Sequence, residues 1–515
     1  MFRSTAVFGA MTLLSRLAGF ARDVIQGALF GASGLIDAFA VAYQIPNYLR
    51  RIFAEGSFAS AFVPVLSELR ERGDRAALKA FVDRIAGALC AALLIVTGLG
   101  MLLAPWIAAL MAPGFASEPG KLALTGDLLR IVFPYLFFVS MTAFAGAVLN
   151  SFQRFALPAL TPVLHNLAVI AAMLWLAPHM EFPVKALAWG VLAAGIAQMV
   201  VLWPALLRLG LFPKLKLHLR DPYVRKVGKL MLPTLFSSSV AQLNLIVGTV
   251  FASLLAEGSR AYLYYSDRLT ELPLGLFGVA LGTVILPHLS RRHAATDAAG
   301  FSKALDWGLR TVLLGSVPAG LGLLALAEPV VATVYQRGEF TAQQATMTAL
   351  AVSAMSLAIP AFMLSKVLAP AFYSRQDTRT PMRAAIATVF VNVGLIAAIV
   401  TPLWWYGVPG AHAGIALATA LAGIVNAVLL WRALRREGAF QPLPGWWKSL
   451  ARIAIAGAAM VAVLIALRTG PVDWRGLSDP ARWTWLAIVV ALGAATYGGV
   501  LMLLGWRVRD LRFSG

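Results

Sequence analysis

Charged residues and cysteine are both scarce in this sequence. Charged side chains make up 13% of the 515 residues and hydrophobic ones 60%, which is more apolar material than the core of a soluble domain can bury. Apolar runs of about 20 residues, the length of a transmembrane helix, recur along the chain. The single cysteine, Cys90, lies in one of these runs, so an intrachain disulfide is excluded. The sequence therefore predicts an all-α, polytopic membrane protein.

The motifs of the common enzyme classes are missing as well. The sequence has no phosphate-binding P-loop, no histidine pair with the spacing of metal ligands, and no acidic extramembrane loop that would hold a metal-bound sugar nucleotide. Its six histidines are scattered and are interpreted as structural. We therefore expect no catalytic residues, no metal and no cofactor. Because no segment resembles an ATP site, any step that needs energy is expected to use the membrane potential, an ion gradient or a concentration gradient.

The apolar runs and the basic residues between them predict the topology. The runs correspond to about 14 transmembrane helices. Lys and Arg are concentrated in the connections on the side of the N-terminus, for example in RERGDRAALK at 70–79. The positive-inside rule then places both termini in the cytoplasm. The formal net charge of +20 follows from this topology, and nucleic acid is not expected as a partner.

An internal repeat predicts the domain organisation. At a constant offset of 223 residues, PVLS at 64–67 meets PHLS at 287–290, Asp83 meets Asp306, and Pro158 meets Pro381. Spans one to six thus recur as spans seven to twelve, and the even number gives both copies the same orientation, as in parallel-repeat transporters. We predict an N-terminal lobe at 1–208, a cytoplasmic interfacial linker at 209–224, a C-terminal lobe at 225–436 and an added helix pair at 437–515. A plain solvated linker is the alternative for 209–224.

Prolines lie inside several of the apolar runs, among them Pro134 and Pro360. Each one frees backbone groups, which a membrane tolerates only where neighbouring groups or cavity water satisfy them. These positions predict bent helices, a feature that is common in transporters.

Two arginines lie within the first apolar run. A charge near the bilayer centre costs roughly 2.5–3.5 kcal/mol, so it is retained where it faces a water-filled cavity, a partner charge or a ligand. Arg16 has no acidic neighbour in sequence, whereas Arg22 precedes Asp23. On an ideal helix the two arginines are about 120° apart, so both line one cavity only if it is wide or if Gly19 loosens the turn. Pairing of Arg22 with Asp23, or snorkelling, is the alternative.

Further charges lie in the second span and at its repeat counterpart. Arg51 and Glu55 are four residues apart and can neutralise each other, which leaves Arg50 as the better ligand candidate. In the second half Arg268 can reach Glu271 in a self-contained salt bridge. The repeat nevertheless sets YYSDRLTEL opposite AYQIPNYLRR, which would place Arg50 and Arg268 near one shared axis.

Guanidinium groups indicate the chemistry of the ligand. They offer planar forks of donors that suit phosphate oxygens, and they stay charged at any relevant pH. Several of them around one cavity suit a diphosphate, so the predicted substrate-binding residues are Arg16, Arg22, Arg50 and Arg268. Gating or coupling roles are predicted for Asp23, Asp37, Arg51, Glu55 and Glu271. Asp37 is expected to make and break a salt bridge near the outer end of span two; its alternative role is a helix N-cap.

Several long motifs carry a resemblance to a known family. SRLAGFARD, PNYLRRIFAEGSFASAFVPVLSE, YYSDRLTELPLGLFGVALGTVILPHLS and KVLAPAFYSRQDTRTP resemble segments of the MurJ (MviN) family, which flips lipid II across bacterial inner membranes and belongs to the MATE-like MOP exporter superfamily. The similarity covers nearly the whole chain. It implies cavity roles for Arg16, Arg22 and Arg268, a functional role for Asp37, and a lipid-tail groove at the C-terminal helix pair.

The resemblance also implies the substrate, the partners and the location. We expect undecaprenyl-diphosphate-linked lipid II to move from the cytoplasmic to the periplasmic leaflet by alternating access. The expected partners are lipid II, membrane lipids and other cell-wall synthesis proteins, and a monomer in the bacterial inner membrane is expected. The alternatives are a flippase for another polyprenyl-linked glycan and a MATE-like ion-coupled exporter. A membrane transferase acting on polyprenyl phosphate would need an acidic or histidine catalytic set, which the sequence does not offer.

Overall fold

The regular structure of the chain is helical. The computed structural model describes residues 2–50, 57–218, 220–295, 297–469, 474 and 476–507, and no strand occurs in these ranges. The helices in the first half are α1 (Phe2–Phe30), α2 (Gly34–Arg50), α3 (Ser57–Glu71), α4 (Arg75–Leu102), α5 (Ala104–Met111), α6 (Lys121–Val132), α7 (Tyr135–Ser151), α8 (Ala156–Ala171), α9 (Lys185–Arg208) and α10 (Pro222–Ser253).

The remaining helices follow in the second half. They are α11 (Ser259–Ala294), α12 (Ala298–Ala325), α13 (Ala327–Tyr335), α14 (Ala342–Ser356), α15 (Ile359–Tyr373), α16 (Arg379–Trp405), α17 (His412–Arg436), α18 (Trp446–Arg468) and α19 (Asp479–Leu503). The prediction of an all-α membrane protein is confirmed, since many of these helices are long and strongly apolar.

The number of membrane spans stays a prediction. Among the described residues, nine helices are long and apolar enough to cross a membrane, or ten if α14 and α15 form one bent span. The other predicted spans fall on α1, on α2 with α3, on α10 and on α11. All of the predicted functional charges lie on these less apolar helices or between them.

Two of the prolines coincide with helix breaks. Pro134 separates α6 from α7, and Pro360 lies in the first turn of α15, where α14 and α15 meet at a bend of 42°. A proline nitrogen has no hydrogen to donate to the preceding turn, so the helix restarts there. The helix is thus interrupted at both positions, whereas Pro46, Pro318 and Pro370, which also lie in the apolar runs, are inside continuous helices.

The chain forms two compact units, Met1–Ala261 and Tyr262–Gly515. Matching features recur in them at the 223-residue offset. The Asp74 side chain accepts a hydrogen bond from Ala77 N at the start of α4, and Asp297 accepts one from Gly300 N at the start of α12. Asp83 and Asp306 each accept a hydrogen bond from a backbone N–H of the segment that follows α9 or α17, at Lys214 and Leu443. The four aspartates thus occupy repeat-equivalent positions, whereas the donors Lys214 and Leu443 are 229 residues apart.

The backbone carries the same repeat. The helix breaks between α4 and α5 and between α12 and α13 fall at Leu103 and Leu326, which are also 223 residues apart. The two non-glycine residues with positive φ in the described chain, Gln153 and Gln376, share that offset and the same φ of 60°. Left-handed backbone is unfavourable for such residues, so its recurrence indicates a conserved turn geometry within the chain.

Helix α10 belongs by its contacts to the first unit. The repeat assigns residues 225–436 to the C-terminal lobe, but α10 packs against α3, α4 and the turn at Pro113–Ser117. Arg84 of α4 forms an ion pair with Asp221, the N-cap of α10. The first compact unit therefore ends one helix later than the first copy of the sequence repeat.

The predicted linker has no regular structure at 211–218. Backbone N–H groups of Lys214 and Lys216 donate to the side chain and the carbonyl of Asp83, which ties the segment to α4. Leu215 and Leu217 are more than half exposed. This exposure fits contact with a membrane surface, although the interfacial location stays a prediction.

The added pair, α18 and α19, packs on the second unit. Ala456, Met460 and Leu464 of α18 form a buried cluster with Val489 of α19, with Ala325 of α12 and with Leu326 at the helix break that follows it. The Tyr497 hydroxyl donates to the carbonyl of Leu314, 2.9 Å away. Small residues make the contact close, because a Cβ at Gly457 would lie 2.9 Å from Leu321 and one at Gly493 would lie 2.8 Å from Leu464.

Candidate functional site

The carboxylate of Asp37 is buried in the first unit and has three hydrogen-bond partners. It is 2% exposed, in the first turn of α2. Its oxygens accept hydrogen bonds from the backbone N–H groups of Gly258, at 2.8 Å, and Ala261, at 2.7 Å, where α11 begins. Lys121 Nζ lies 3.1 Å away and is itself buried. Asp37 thus neutralises orphan donors at the N-terminus of α11.

A second carboxylate makes the reverse contact. Glu257 accepts a hydrogen bond of 2.9 Å from Gly34 N, at the N-terminus of α2. A side chain at Gly34 would collide with the end of the Glu257 side chain, which would have to move away from its hydrogen bond. Each helix N-terminus is therefore capped by an acid from the other segment. We call Gly34, Asp37, Lys121, Glu257, Gly258 and Ala261 the clasp.

The lysine of the clasp has three separate interactions. Besides Asp37, Lys121 Nζ contacts Glu118 Oε1 at 2.9 Å and lies 4.3 Å from the centre of the Phe115 ring. A buried ammonium is stable only with such compensation, because desolvation of an unpaired charge costs several kcal/mol. Lys121 is the basic partner that the gating hypothesis for Asp37 required.

A second set of hydrogen bonds, made by the Gln44 side chain, lies about two turns further along α2. The side-chain amide oxygen of Gln44, Oε1, accepts a hydrogen bond from the Thr249 hydroxyl at 2.6 Å, and Arg260 Nη2 lies 3.5 Å from the same oxygen. Gln44 Nε2 also donates to the carbonyl of Leu245 at 3.2 Å. Together with the clasp, the hydrogen bonds of Gln44 join α2, α10 and the start of α11.

Arg22 is held on both sides of its guanidinium. Its Nη2 lies 2.6 Å from the Asp23 carboxylate, and its Nη1 donates to Asn166 Oδ1 on α8 at 3.1 Å. Asn166 in turn donates to the carbonyl of Ser15. The arginine side chain is 11% exposed. The pairing with Asp23 that was the alternative for Arg22 is therefore present in this state.

Arg16 differs from Arg22. Its side chain is half-buried on α1 and forms no hydrogen bond or ion pair with any residue that the structure describes. The structure thus separates the two arginines of the first run: one is fixed by protein groups, and the other keeps its five N–H donors for water or a ligand.

The other predicted site residues fall in several places. Arg50 Nε donates to Asn47 Oδ1 at 3.1 Å. Arg51 and Glu55 lie outside the described residues. Arg268 lies in the second unit, where its Nη1 is 3.3 Å from Glu271 and its guanidinium is 5.1 Å from the Tyr264 ring centre. The predicted convergence of Arg268 with the arginines of the first unit stays a prediction.

Sequence reasoning missed the partners of Asp37 and the second partner of Arg22, Asn166. Lys121, Glu257 and Asn166 had been assigned no role, since none forms a motif with its sequence neighbours. One signal was available: Gly34 and Glu257 are 223 residues apart and so occupy equivalent repeat positions. The N-cap alternative for Asp37 was right in kind, but the helix that it caps is α11.

No metal site emerges from the described part of the chain. It contains no group of three or more His, Cys, Asp or Glu residues that could hold a metal ion. The clasp and α1 offer arginine, lysine and carboxylate groups for hydrogen bonding and ion pairing.

Comparisons with known proteins agree with this architecture. The model of the lipid II flippase MurJ family matches residues 27–474. The chain is 40% identical to a probable lipid II flippase MurJ of Vibrio cholerae, over 99% of this chain and 98% of the relative. It is also 40% identical to a lipid II flippase MurJ of Burkholderia cenocepacia, over 99% of each chain.

Solved structures give the same result. A lipid II flippase MurJ in an inward closed conformation is similar over 97% of this chain and 98% of its own, with a TM-score of 0.80 and 26% identity. An inward-facing MATE family transporter of the MOP superfamily matches 84% of this chain and 98% of its own, with a TM-score of 0.65 and 16% identity, which shows a shared fold. The resemblance carried by the sequence motifs is confirmed, and this chain belongs to the lipid II flippase MurJ family.

Proposed function

We propose that this protein moves lipid II from the cytoplasmic to the periplasmic leaflet of the bacterial inner membrane. Family membership over most of the chain supports a transporter, and the relatives named above are lipid II flippases. Both termini would lie in the cytoplasm, in keeping with the basic connections on that side. The protein would act as a monomer, with lipid II and membrane lipids as its partners and with contacts to other cell-wall synthesis proteins.

The observation that carries this proposal is Arg16. An arginine that is half-buried on an apolar helix, with no protein partner among the described residues, is costly unless a cavity or ligand receives it. A diphosphate provides acceptors that match the guanidinium fork. Arg16 would bind it together with Arg22, Arg50 and Arg268, while Asp23 and Glu271 would hold two of these arginines when the substrate is absent.

The clasp would serve as a gate in an alternating-access cycle. It joins α2 to the start of α11 by hydrogen bonds and one buried ion pair, and these contacts can break together and re-form. Arg51 and Glu55, which the sequence assigned to gating, would form a further pair that opens and closes. The membrane potential or an ion gradient would drive the cycle, without a cofactor.

The test is direct measurement of lipid II translocation. The chain is expressed in cells depleted of their own flippase, and lipid II is assayed in the periplasmic leaflet by its accessibility to a reagent that does not cross the membrane. We expect growth and accessibility to recover together. An exporter of another polyprenyl-linked glycan or of amphipathic drugs would leave lipid II inaccessible although the protein reaches the membrane, and that result would refute the proposal.

The same function assigns a role to α18 and α19. Moving a polyprenyl tail into an aqueous cavity costs about 0.8 kcal/mol for each CH₂, so the tail has to stay in lipid or in an apolar groove while the head group crosses. The outer face of this pair is apolar, since Ile455, Val490 and Leu492 are each about half exposed. We place the tail on this face.

Tryptophan substitutions distinguish a groove from a packing element. Ala458 and Ala494 are exposed, whereas Gly457 and Gly493 are buried in helix contacts. Ala458→Trp and Ala494→Trp are expected to weaken lipid II binding about tenfold while leaving the melting temperature and the binding of a water-soluble head-group analogue unchanged. Gly457→Trp should instead lower the melting temperature, because overpacking costs about 1–3 kcal/mol. Equal loss of both ligands in Ala458→Trp would contradict the groove.

A further inference from the structure

A cavity of about 300 Å³ lies within the first unit, away from the clasp and from Arg16. It opens where α3 ends, α4 begins and α9 ends, on the side that the basic connections place in the cytoplasm. Its walls include Arg70, Arg75 and Arg208, and one carboxylate, Asp74. Three guanidinium groups around one small cavity are an unusual arrangement without a ligand.

None of these three arginines is neutralised by the protein. Arg70 donates to the carbonyl of Ser151 and lies 5.7 Å from the Phe152 ring centre, and Arg75 Nη2 donates to the carbonyl of Leu209 at 3.0 Å. Arg208 is exposed and forms no hydrogen bond or ion pair with a described residue. Each guanidinium has five N–H donors, so most of the donors around the cavity remain available.

Neighbouring basic residues behave differently. Arg72 pairs with Glu68 at 2.5 Å, Arg84 pairs with Asp221, and Lys226 lies 3.4 Å from Glu68. Asp74 forms no ion pair with a cavity arginine, and its carboxylate accepts the Ala77 N–H as the N-cap of α4. The acidic residues nearby thus pair with basic residues outside the cavity, and the three arginines of the cavity wall form no ion pair with a described residue.

The fold does not require these arginines. At the repeat-equivalent positions the second unit has His293, Ala298 and Trp431, although it keeps the equivalent N-cap at Asp297. The same backbone framework therefore forms without arginine at any of the three places. This independence favours a ligand as the reason for the cluster.

We propose that this cavity binds a phosphoryl group, as a site separate from the translocation pathway. Guanidinium forks match phosphate oxygens in a bidentate way, and the cavity is large enough for a phosphate with a small alcohol attached. The source is either the head group of an anionic phospholipid in the adjacent leaflet or a soluble phosphate compound. The exposed Leu215 and Leu217, a few residues beyond the cavity wall at Leu211, favour the lipid.

The experiment measures lipid retention by the full-length protein. Purified protein is equilibrated with phosphatidylglycerol or phosphatidylethanolamine, and bound lipid is counted by native mass spectrometry. Both lipids carry a phosphate, but the ammonium of phosphatidylethanolamine is repelled by the three guanidinium groups, so we expect about tenfold tighter binding of phosphatidylglycerol. Arg208→Gln should remove most of this preference, and Arg70→Gln/Arg75→Gln/Arg208→Gln should remove all of it.

Two comparisons make the result decisive. Arg72→Gln removes the same charge from the same connection but leaves the cavity intact, so it should retain the lipid preference. Arg208 is exposed and forms no hydrogen bond or ion pair with a described residue, so Arg208→Gln is expected to fold normally even if the triple variant does not. If inorganic phosphate stabilises the protein in an Arg208-dependent way while Arg208→Gln leaves the binding of both lipids unchanged, the phosphoryl site is supported with a soluble source. If neither probe distinguishes Arg208→Gln from the unmodified protein, the proposal is wrong.

Discussion

Replacing Arg22 and Asp23 together by alanine is expected to yield a stable protein that does not flip lipid II. The two side chains form a nearly buried ion pair, 11% and 8% exposed. Removing only Arg22 leaves a buried carboxylate, which costs about 3–5 kcal/mol, so Arg22→Ala loses both stability and transport. The double variant removes the stranded charge and should recover membrane levels and melting temperature. Its transport should stay reduced more than about 100-fold if two charge-assisted hydrogen bonds to substrate are lost.

This double substitution separates the two interpretations of Arg22. If the arginine serves only to neutralise Asp23, the double variant regains transport along with stability, and the ligand role is refuted. The same series includes Arg16→Ala, which breaks no described contact and should abolish complementation at normal protein levels. Arg16→Lys should rescue it poorly, because an ammonium lacks the planar fork. Arg154→Ala, at an exposed arginine outside the membrane runs, is the matched control and should complement fully.

Local sequence signals predicted those parts of the structure that depend on neighbouring residues. The pairs Arg22–Asp23 and Arg268–Glu271 lie within three residues of each other and are both present. The helix breaks at Pro134 and Pro360 follow from the missing proline N–H. In each case the physical cause acts within about one helical turn, where spacing in sequence determines spacing in the fold.

The partners of Asp37 could not be predicted in this way. Lys121 and Gly258 are separated from it by 84 and 221 residues, and two of its three contacts are to backbone N–H groups, which every residue but proline carries. Nor does spacing reveal that α10 packs with the first unit, since that choice depends on side-chain fit between helices that are distant in sequence. Positions 34 and 257 are repeat-equivalent, but no contact between them was predicted from the sequence.

Cross-linking the clasp is expected to stop transport completely and reversibly. The pair Gly34→Cys/Glu257→Cys, in a Cys90→Ala background, replaces the contact of 2.9 Å between Gly34 N and the Glu257 carboxylate. The cysteine at 257 is shorter than glutamate, which makes room for the side chain that Gly34 otherwise excludes. Thiol-specific bifunctional reagents of increasing length, joined through a reducible disulfide, should bridge the pair. The shortest bridge holds the N-termini of α2 and α11 together and so prevents the gate from opening.

The single variants Gly34→Cys and Glu257→Cys, treated in the same way, control for damage caused by the substitutions or the reagent. Both lack one half of the reciprocal caps and should transport more slowly than the unmodified chain, because losing a helix cap costs about 1 kcal/mol, but they should not respond to the bridge. In the double variant, transport should return when the bridge is reduced, and longer bridges should inhibit less because they leave the helix ends room to separate. A bridged protein that flips lipid II at the rate of its reduced form would show that the clasp stays closed throughout the cycle, and the gate would then have to be sought elsewhere.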